Sequence, residues 1–411
     1  MGSAFGFDRG QPSGPRQQAG GPMIALPANP LVELRQRFPT LAHSVHLATC
    51  SVAPPSTAMD QSLHQMLDDL GRPGFWTRCE EQLWQARRGF AKLIGADIDQ
   101  VAVVPNASIA AYQASAGVRW RRRRALVTTT AEYPGVAHVW LAQQARGAKV
   151  RWCGSPTGQA ATSDYLAAIA ARTALVSVPA VTYRDATRLD VKRIAEAAHA
   201  VGAALFVDAY QAAGNTPIDV SEMGCDYLVA GTGKYLLGLP GLALMYVRDP
   251  SGPAPTLTGR FGRIAPAAFD PLTLDFPPHA RRYETGTPSA AATYAAVAGL
   301  RMINRLDLVA VRQHTQRLIA VAAVRLAEQG ETVRLASTAD EQGAHLALVE
   351  PHAEAMTAWL AHRGITVAPR AGVVRLAMHA YTTLDDIDAL CAAIESYRTR
   401  SRSRQRTGAS R

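Results

Sequence analysis

The amino-acid sequence predicts an α/β fold, in which a large domain with a mostly parallel sheet between helices precedes a smaller C-terminal α+β domain. Between about residues 100 and 247, short apolar runs alternate with amphipathic helical patterns. The apolar runs are continuous, which is typical of strands in a sheet that helices cover on both faces. Beyond about residue 300, long helices and short strands replace this alternation. Hydrophobic residues make up 48% of the 411 residues, so the chain can bury a large core.

The clearest unit of the first domain spans residues 174–207. It consists of the strand ALVSVPAV, the helix LDVKRIAEAAHAVG and the strand ALFV, and the helix places Ile194, Ala198 and Val201 on one face. Such a crossover implies parallel strands. The other strands of this domain are predicted at 101–105, 125–130, 149–153, 226–231 and 242–247, and its other helices at 79–94, 109–118 and 137–147. The second domain has predicted helices within 292–328, strands near 332–336, 344–349 and 373–377, and a final helix near 384–399.

Composition argues against several classes of protein. The five cysteines are scattered and form no CxxC pair, so neither a disulfide framework nor a zinc site is predicted. The net charge of +10 reflects mainly arginine, six of them in the last fourteen residues and others at Arg119 and 121–124. We interpret both as solvated surface, because no nucleic-acid-binding motif accompanies them. No apolar run is long enough for a membrane span and the N-terminus has no secretory h-region, so we predict a soluble cytoplasmic protein.

A lysine and an aspartate follow consecutive predicted strands. Asp208 follows the strand ALFV, and Lys234 follows DYLVAG in the segment GTGKYLLGLPG. Ligands of α/β sheets bind beyond the carboxyl ends of strands, so both side chains can face one cleft. Pyridoxal-5′-phosphate (PLP) needs such an amine on its aldehyde carbon and such a carboxylate on its pyridinium nitrogen. GTGK is not a nucleotide P-loop, since Leu228 and Tyr235 stand where that motif needs Gly and Ser or Thr.

Two further segments fit the same cofactor. In PNASIAAY, a small polar turn opens a helix, and the free amides and positive dipole of a helix start suit a phosphate. Ordinary helix capping is the alternative reading of this segment. In AEYPG, Tyr133 follows a strand and could stack on a flat ring, although core packing is the favoured interpretation of this residue taken alone.

Three stretches give the chain a family resemblance over about residues 40–397. They are VDAYQAAGNTPIDVSEMGCDYLVAGTGKYLLGLPGLALMYV, RRYETGTPSAAATYAAVAGL and GVVRLAMHAYTTLDDID. In order and spacing they resemble the class V aminotransferase superfamily of PLP enzymes, of fold type I. That superfamily includes cysteine desulfurases, kynureninase, selenocysteine lyase and isopenicillin N epimerase.

The resemblance assigns roles to individual residues around the cofactor. Lys234 resembles the Schiff-base lysine, Asp208 the pyridinium partner and Gln211 the side chain on the phenolic oxygen. The other cofactor-binding residues implied are Ala107 and Ser108 at the phosphate, Tyr133 on the ring, and Thr232. Thr287 resembles the residue that reaches the phosphate of the neighbouring subunit, which implies a homodimer with shared active sites.

Substrate contacts are implied in the same way. Arg375 resembles the arginine that grips the substrate α-carboxylate, a bidentate task suited to a guanidinium. The segment HLATCSVAP resembles an N-terminal strand that lines the substrate pocket. The residues implied there are Thr49, Cys50 and Ser51, with Thr182 and Tyr183 near a ring-facing position.

Domain limits follow from the pattern and the resemblance together. They are a disordered N-terminal tail at 1–30, an arm lining the active site at 31–60, a large PLP-binding domain at 61–295, a small C-terminal domain at 296–397 and a basic disordered tail at 398–411.

Departures from the superfamily bear on the reaction. Cysteine desulfurases carry a nucleophilic Cys shortly before the carboxylate-binding Arg, whereas the corresponding loop here is VAPRAGVVR. A persulfide-forming reaction is therefore not expected. Gly233 stands where desulfurases have His and kynureninase has Tyr, and we predict that Gly231 and Gly233 leave an open floor beside Lys234.

The sequence leaves the reaction type open. We predict a lyase that cleaves a Cβ–S or other Cβ–X bond of an amino acid or conjugate through a Lys234 aldimine and a quinonoid. Transamination is the alternative, with epimerisation and decarboxylation also possible. A catalytically silent binding protein on the same fold is a hypothesis of a different class. The predicted partners are a small amino-acid substrate and a second copy of the chain, with no metal, nucleic acid or membrane.

Overall fold

The computed structural model describes residues 30–155, 158–252 and 254–408. The α-helices are α1 Pro30–Gln36, α2 Thr57–Leu70, α3 Phe75–Ile94, α4 Ala107–Ala116, α5 Pro134–Ala142, α6 Thr162–Ala168, α7 Val191–Ala200, α8 Val220–Met223, α9 Ala290–Ile303, α10 Leu308–Glu328, α11 Ala353–Ala361 and α12 Leu384–Gly408. The strands are β1 Val45–His46, β2 Val101–Val104, β3 Ala125–Thr129, β4 Lys149–Cys153, β5 Thr173–Pro179, β6 Ala204–Asp208, β7 Tyr227–Gly231, β8 Ala243–Val247, β9 Val333–Arg334, β10 His345–Val349, β11 Ile365–Thr366, β12 Ala368–Arg370 and β13 Val373–Ala377.

A seven-stranded sheet forms the centre of the large domain, in the order β2-β8-β7-β6-β5-β3-β4. The pairs from β7 through β4 are parallel, whereas β8 runs antiparallel to both β7 and β2. This confirms the predicted α/β fold with a mostly parallel sheet. The predicted strand at 242–247 is present, but it runs antiparallel to its neighbours, because the loop at 232–242 brings the chain back beside β7.

Helices cover both faces of this sheet, and β6 contributes buried side chains to both faces. Leu205 and Phe206 are both fully buried and belong to two different hydrophobic clusters. Successive side chains of a strand point to opposite faces, which explains the division. Leu205 shares its cluster with Ile194 of α7, and the Phe206 ring lies edge-on to Trp140 of α5, with centroids 5.4 Å apart. The continuous apolar strands of the sequence therefore reflect burial on both sides.

The small domain is an antiparallel sheet in the order β12-β13-β10-β9, with α10, α11 and α12 contributing to its core. The N-terminal arm belongs to it structurally, since Val45 and His46 pair in parallel with Ile365 and Thr366. The arm then runs on towards the large domain, where the Cys50 carbonyl accepts a hydrogen bond from Gln211. A single extended segment thus connects the small-domain core to the large domain.

The packing of helices α9 and α10 bears on where the two domains divide. Helix α9 spans the predicted limit at 295/296, yet its Ala296, Val297 and Leu300 pack in the core of the large domain. Helix α10 contributes Leu318 and Leu326 to the core of the small domain. We propose that the boundary lies in the connection between α9 and α10.

The C-terminal helix is longer than predicted. It continues to Gly408, into the segment predicted to be an unfolded tail. Arginine has a high helix propensity, and Arg398 is held by ion pairs of 2.7 Å to both Glu331 and Glu350. The predicted tail at 1–30 lies, up to residue 29, outside the described residues, as do residues 409–411. No helix of the described part is long and apolar enough to cross a membrane.

Candidate active site

A cavity of about 330 Å³ lies at the carboxyl ends of the parallel strands. It stands where ligands bind in open α/β sheets. Its wall contains eight of the predicted site residues, namely Ser51, Ala107, Ser108, Tyr133, Tyr183, Asp208, Gln211 and Lys234. These residues come from the N-terminal arm, from the start of α4 and from the segments that follow β3, β5, β6 and β7. The fold therefore gathers them from six separate parts of the sequence.

The loop after β7 positions Lys234. The hydroxyl of Thr232 donates to the carbonyls of Leu239 and Leu242 at 2.7 and 3.0 Å, which closes the loop on itself. Burial lowers the pKa of the Lys234 ammonium to about 8, and the negative charge of Asp208 opposes this shift. About a tenth of the amine is then neutral at pH 7, and the neutral amine is the form that acts as a nucleophile.

Asp208 ends β6 and is buried in the same cavity. One of its carboxylate oxygens accepts a hydrogen bond of 2.9 Å from the backbone N–H of Tyr210. Burial raises the pKa of this carboxyl, while the Tyr210 amide and the Lys234 ammonium favour its charged form. The amine and the carboxylate that the sequence analysis paired thus line one cavity and influence each other electrostatically.

Glu132 is a second buried carboxyl in this wall, and it was not among the residues predicted from the sequence. Its two oxygens accept hydrogen bonds from the backbone N–H of Tyr133 at 2.8 Å and from the Ser177 hydroxyl at 3.0 Å. Burial, and secondly the charge of Asp208, raise its pKa to about 8. A carboxyl residue directly before Tyr133, just after an apolar strand, is the signal that could have identified it.

The start of α4 forms a cradle at the cavity whose chemistry suits an anion. The Asn106 side chain caps the helix by accepting from the Ile109 N–H at 3.1 Å, and Ala107 and Ser108 face the cavity. The first N–H groups of a helix have no partner within the helix and suit a phosphate. The Ser108 hydroxyl donates to the Gly135 carbonyl at 2.7 Å, which ties the cradle to the start of α5.

Tyr133 and Gln211 offer contacts for an aromatic ring. The Tyr133 ring is 41% exposed, and it meets the Tyr183 ring edge-on with centroids 5.5 Å apart. The Lys234 Nζ lies 5.6 Å from the centre of the Tyr133 ring. Gln211 donates from its amide nitrogen to the Cys50 carbonyl at 3.0 Å, and its buried Oε1 has no hydrogen-bond partner among the described residues. That unpartnered oxygen remains available to a ligand.

Other predicted site residues lie outside the cavity wall. Thr232 is committed to its own loop, and Thr287 is exposed. Thr49 is buried and hydrogen-bonded to the Tyr381 hydroxyl, and Cys50 is fully buried. Thr182 is also buried, where its hydroxyl donates to Asp185.

Arg375 is a further predicted site residue outside the wall. Its side chain is buried, with one nitrogen donating to the Tyr183 carbonyl at 2.9 Å.

The predicted open floor beside Lys234 is wrong. A Cβ at Gly231 would lie 2.1 Å from the Tyr210 ring, and one at Gly233 would lie 2.6 Å from the Pro240 nitrogen. The two glycines therefore allow Tyr210 and Pro240 to approach the backbone closely, and they create no additional room for a substrate.

PLP fits the chemistry of these groups. The cavity combines a buried amine, a buried carboxylate, a helix-start cradle, an aromatic ring and the unpartnered oxygen of Gln211. Its volume lies in the range of small-molecule sites. By contrast, nowhere in residues 30–155, 158–252 and 254–408 do three or more His, Cys, Asp or Glu side chains form a group that could hold a metal ion.

Comparison with known proteins agrees with this geometry. Residues 71–390 match the family described as aminotransferase class-V. The chain is 37% identical over 358 residues to a Bacillus subtilis protein named uncharacterized aminotransferase YcbU, a match that covers 86% of this chain and 95% of that protein. It is 30% identical to the kynureninase of Deinococcus radiodurans over 71% of this chain and 73% of that protein.

Solved structures share the fold at lower identity. A lysine-to-alanine variant of C-DES with glycine covalently linked to its PLP cofactor matches with a TM-score of 0.80, at 19% identity over 88% of this chain and 98% of that one. The cysteine desulfurase of Thermococcus onnurineus NA1 matches with a TM-score of 0.77, at 20% identity over 89% and 97%. The cavity with its amine and carboxylate, the matching family and these relatives agree, and the chain belongs to the class-V aminotransferase family of PLP-dependent enzymes, with fold type I.

Proposed function

We propose that this enzyme is a lyase that cleaves a Cβ–S, or another Cβ–X, bond of an amino acid or amino-acid conjugate without forming a protein persulfide. The supporting observation is the turn between β12 and β13, which precedes Arg375 in the chain. Only Ala371 and Gly372, with φ of 37° and 80°, connect Arg370 to Val373. A two-residue turn without a thiol has no loop that could carry a nucleophilic cysteine to the substrate.

The cysteines present are poorly suited to that role. All five are buried and unbonded to each other. Burial raises the pKa of the thiols of Cys79, Cys153, Cys225 and Cys391, which keeps them protonated and unreactive. Cys50 is fully buried in the N-terminal arm, and its contact with the site is made by its backbone carbonyl, which accepts a hydrogen bond from Gln211.

Each of the main residues of the cavity has a separate role in such a reaction. PLP, when bound, supplies an electron sink for the carbanion at the substrate Cα. Lys234 removes the Cα proton and can return it to the leaving thiol, since a pKa near 8 suits both acceptance and donation at neutral pH. Asp208 keeps a proton on the pyridine nitrogen, and the amides at the start of α4 hold the phosphate.

Transamination is the second candidate, because the relative at 37% identity is named an aminotransferase. The two reactions differ in where the Cα proton goes after Lys234 has taken it. A lyase loses the Cβ substituent, whereas an aminotransferase needs a 2-oxo acid to receive the amino group.

Incubation of the holoenzyme with a panel of L-amino acids and cysteine S-conjugates separates the candidates. We expect steady release of pyruvate, ammonia and a thiol from at least one β-substituted substrate, at a rate that an added 2-oxo acid does not change. Turnover only with a 2-oxo acid would replace the lyase by an aminotransferase. The absence of any turnover or spectral response, in a preparation fully loaded with cofactor, would favour a silent binding protein.

We further propose a homodimer with shared active sites. Thr287, assigned to the phosphate of a neighbouring subunit, is exposed and lies outside the cavity of its own subunit. The preceding segment 264–274 exposes Ile264, Phe269 and Leu272 to 62%, 74% and 93%. Large apolar side chains exposed together mark a protein interface, and a second subunit would cover them.

A heterodimer tests this arrangement. A subunit with Lys234→Ala is paired with one carrying Thr287→Glu, whose carboxylate repels the phosphate, and the pair is isolated by two affinity tags. If sites are shared, one site of the heterodimer has both native residues, and it is active although both variant homodimers are impaired. If Thr287 serves its own subunit, neither site is intact and the heterodimer stays inactive.

A further inference from the structure

Tyr210 lines the cofactor cavity beside the residues predicted from the sequence. It follows β6, two residues after Asp208, and its backbone N–H donates to a carboxylate oxygen of Asp208 at 2.9 Å. Its hydroxyl is hydrogen-bonded to the backbone of Ala107 at the start of α4. The residue therefore spans the wall from the carboxylate to the helix start, and it is held at both ends.

Gly231 determines where the Tyr210 ring can lie. It is the last residue of β7, the strand that pairs with β6. A Cβ at this position would lie 2.1 Å from one carbon of the Tyr210 ring and 2.6 Å from the hydroxyl oxygen. Because glycine has no Cβ, the ring can rest against the backbone of β7. Any other residue at this position would push the ring away.

The ring placed in this way meets the amine of Lys234. The Lys234 Nζ lies 5.2 Å from the centre of the Tyr210 ring. A lysine ammonium within about 6 Å of an aromatic centre is attracted to the ring face, and the attraction is stronger where water is excluded. Burial raises the pKa of the Tyr210 hydroxyl, so the hydroxyl keeps its proton. The attraction therefore comes from the neutral ring and not from a phenolate.

The other neighbours leave this role to Tyr210. Tyr133 is a second ring near the amine, at 5.6 Å, but it is the ring assigned to the cofactor. The titratable and charged groups around Lys234 and Asp208 are Glu132, Cys50, His345, Arg370 and Arg375. Burial is the largest influence on the pKa of Lys234 and lowers it, and the two arginines add to this. Asp208 favours the ammonium, but it is the carboxylate proposed to face the pyridine nitrogen.

We propose that Tyr210 is a positioning residue whose ring holds the amine of Lys234, as the ammonium, after that amine has taken the Cα proton of the substrate. The inference rests on the proposed function in one respect, since it takes Lys234 as the acceptor of that proton. This role is common to the lyase and the aminotransferase. A lysine amine is carried on a flexible four-carbon chain, and the ring gives its charged form a fixed place in the wall.

The amine of Lys234 can be followed directly, because the chain has only four lysines, namely Lys92, Lys149, Lys192 and Lys234. The apoenzyme is prepared with lysine that is isotopically labelled at Cε. The signal of Lys234, assigned by its loss in Lys234→Ala, is then titrated with pH by NMR.

Three variants change the ring in different ways. Tyr210→Phe keeps the ring, Tyr210→Leu removes it, and Gly231→Ala displaces it. Tyr112→Leu is the matched control, since this tyrosine of α4 lies outside the cavity wall and its hydroxyl contacts Thr256.

We expect the midpoint of the Lys234 titration to fall by about one pH unit in Tyr210→Leu and in Gly231→Ala. It should stay unchanged in Tyr210→Phe and in the control. The direction separates this role from simple packing, because loss of a large side chain admits water and would raise the midpoint by weakening burial. A rise or no change in Tyr210→Leu would overturn the inference, and so would a fall in Tyr210→Phe. If Tyr210→Leu does not fold, Gly231→Ala gives the same test.

Exchange of the Cα proton for deuterium tests the proposed function separately. In heavy water, the wild-type holoenzyme should exchange this proton of L-alanine, L-serine or L-cysteine. Tyr210→Leu should exchange it about ten-fold more slowly, and Tyr210→Phe at the wild-type rate. An unchanged rate in Tyr210→Leu would contradict the positioning role. No exchange by the wild type would contradict the proposed function instead, whereas the titration would still report whether the ring holds the ammonium.

Discussion

A Lys234→Ala variant will bind PLP without a covalent bond, and its turnover will fall by about 10³-fold or more, because one amine both attaches the cofactor and moves the Cα proton. The other three lysines cannot take its place, since Lys234 is the lysine in the cavity wall. Lys192→Ala is the matched control, as this lysine is exposed on α7 and should be dispensable.

Hydride reduction followed by intact mass measurement reads out this result directly. The wild type and Lys192→Ala should gain the mass of one reduced cofactor per subunit, and Lys234→Ala should gain none.

The rate at which the apoenzyme loads PLP should also report the pKa of Lys234. That pKa is lowered to about 8, so the reactive neutral amine increases as pH rises and becomes the main form above 8. Loading should therefore slow about ten-fold per pH unit below 8 and level off above it.

A reducible cofactor in the Lys234→Ala variant would place the attachment on another lysine and would contradict the assigned site. A loading rate that stays flat between pH 6 and 9 would contradict only the lowered pKa. The two measurements therefore test the identity of the residue and its environment separately.

The parts of this site that could be predicted from sequence are those fixed by local order along strands. Asp208 and Lys234 each end or follow a short apolar run, and parallel strands bring such ends to one edge whatever the loops do. The cradle at the start of α4 follows in the same way from a strand, a polar turn and a helix. These predictions needed only the hydrophobic pattern and the chemistry of the residues that interrupt it.

What could not be predicted depends on contacts between distant segments. The direction of β8 is set by the loop after β7, which a hydrogen bond from the Thr232 hydroxyl closes on itself. The hydrophobic periodicity of the sequence does not reveal this hydrogen bond. Gly231 and Gly233 suggested empty space, whereas Tyr210 and Pro240 fill it. The pairing of Arg375 with its neighbours on β10 depends on a register that appears only when the sheet is formed. Glu132 was overlooked because its burial beside Asp208 is a property of the fold.

An Asp208→Asn variant should still attach PLP to Lys234 but should turn over roughly 10²- to 10³-fold more slowly, the scale for losing one preorganised electrostatic contact. The amide has nearly the shape of the carboxylate, so it keeps the hydrogen bond from Tyr210, but it carries no charge to hold a proton on the pyridine nitrogen. Hydride reduction should therefore still add one cofactor per subunit, which distinguishes this defect from that of Lys234→Ala. Failure to load would instead indicate that Asp208 is needed mainly for folding or binding.

Glu132 makes the size of that defect depend on pH. The charge of Asp208 is one cause of the raised pKa of Glu132, about 8 in the native protein. Its removal lowers that pKa, so Glu132 ionises at lower pH in Asp208→Asn and restores a negative charge to the cavity wall. Activity of Asp208→Asn should then rise with pH, and the double variant with Glu132→Gln should lose that rise. Glu132→Gln alone should have the smaller effect, because Glu132 is already largely protonated at neutral pH. A double variant that behaves as the sum of the two single ones, at every pH, would mean that the carboxyls act independently, and the coupling between them would have to be abandoned.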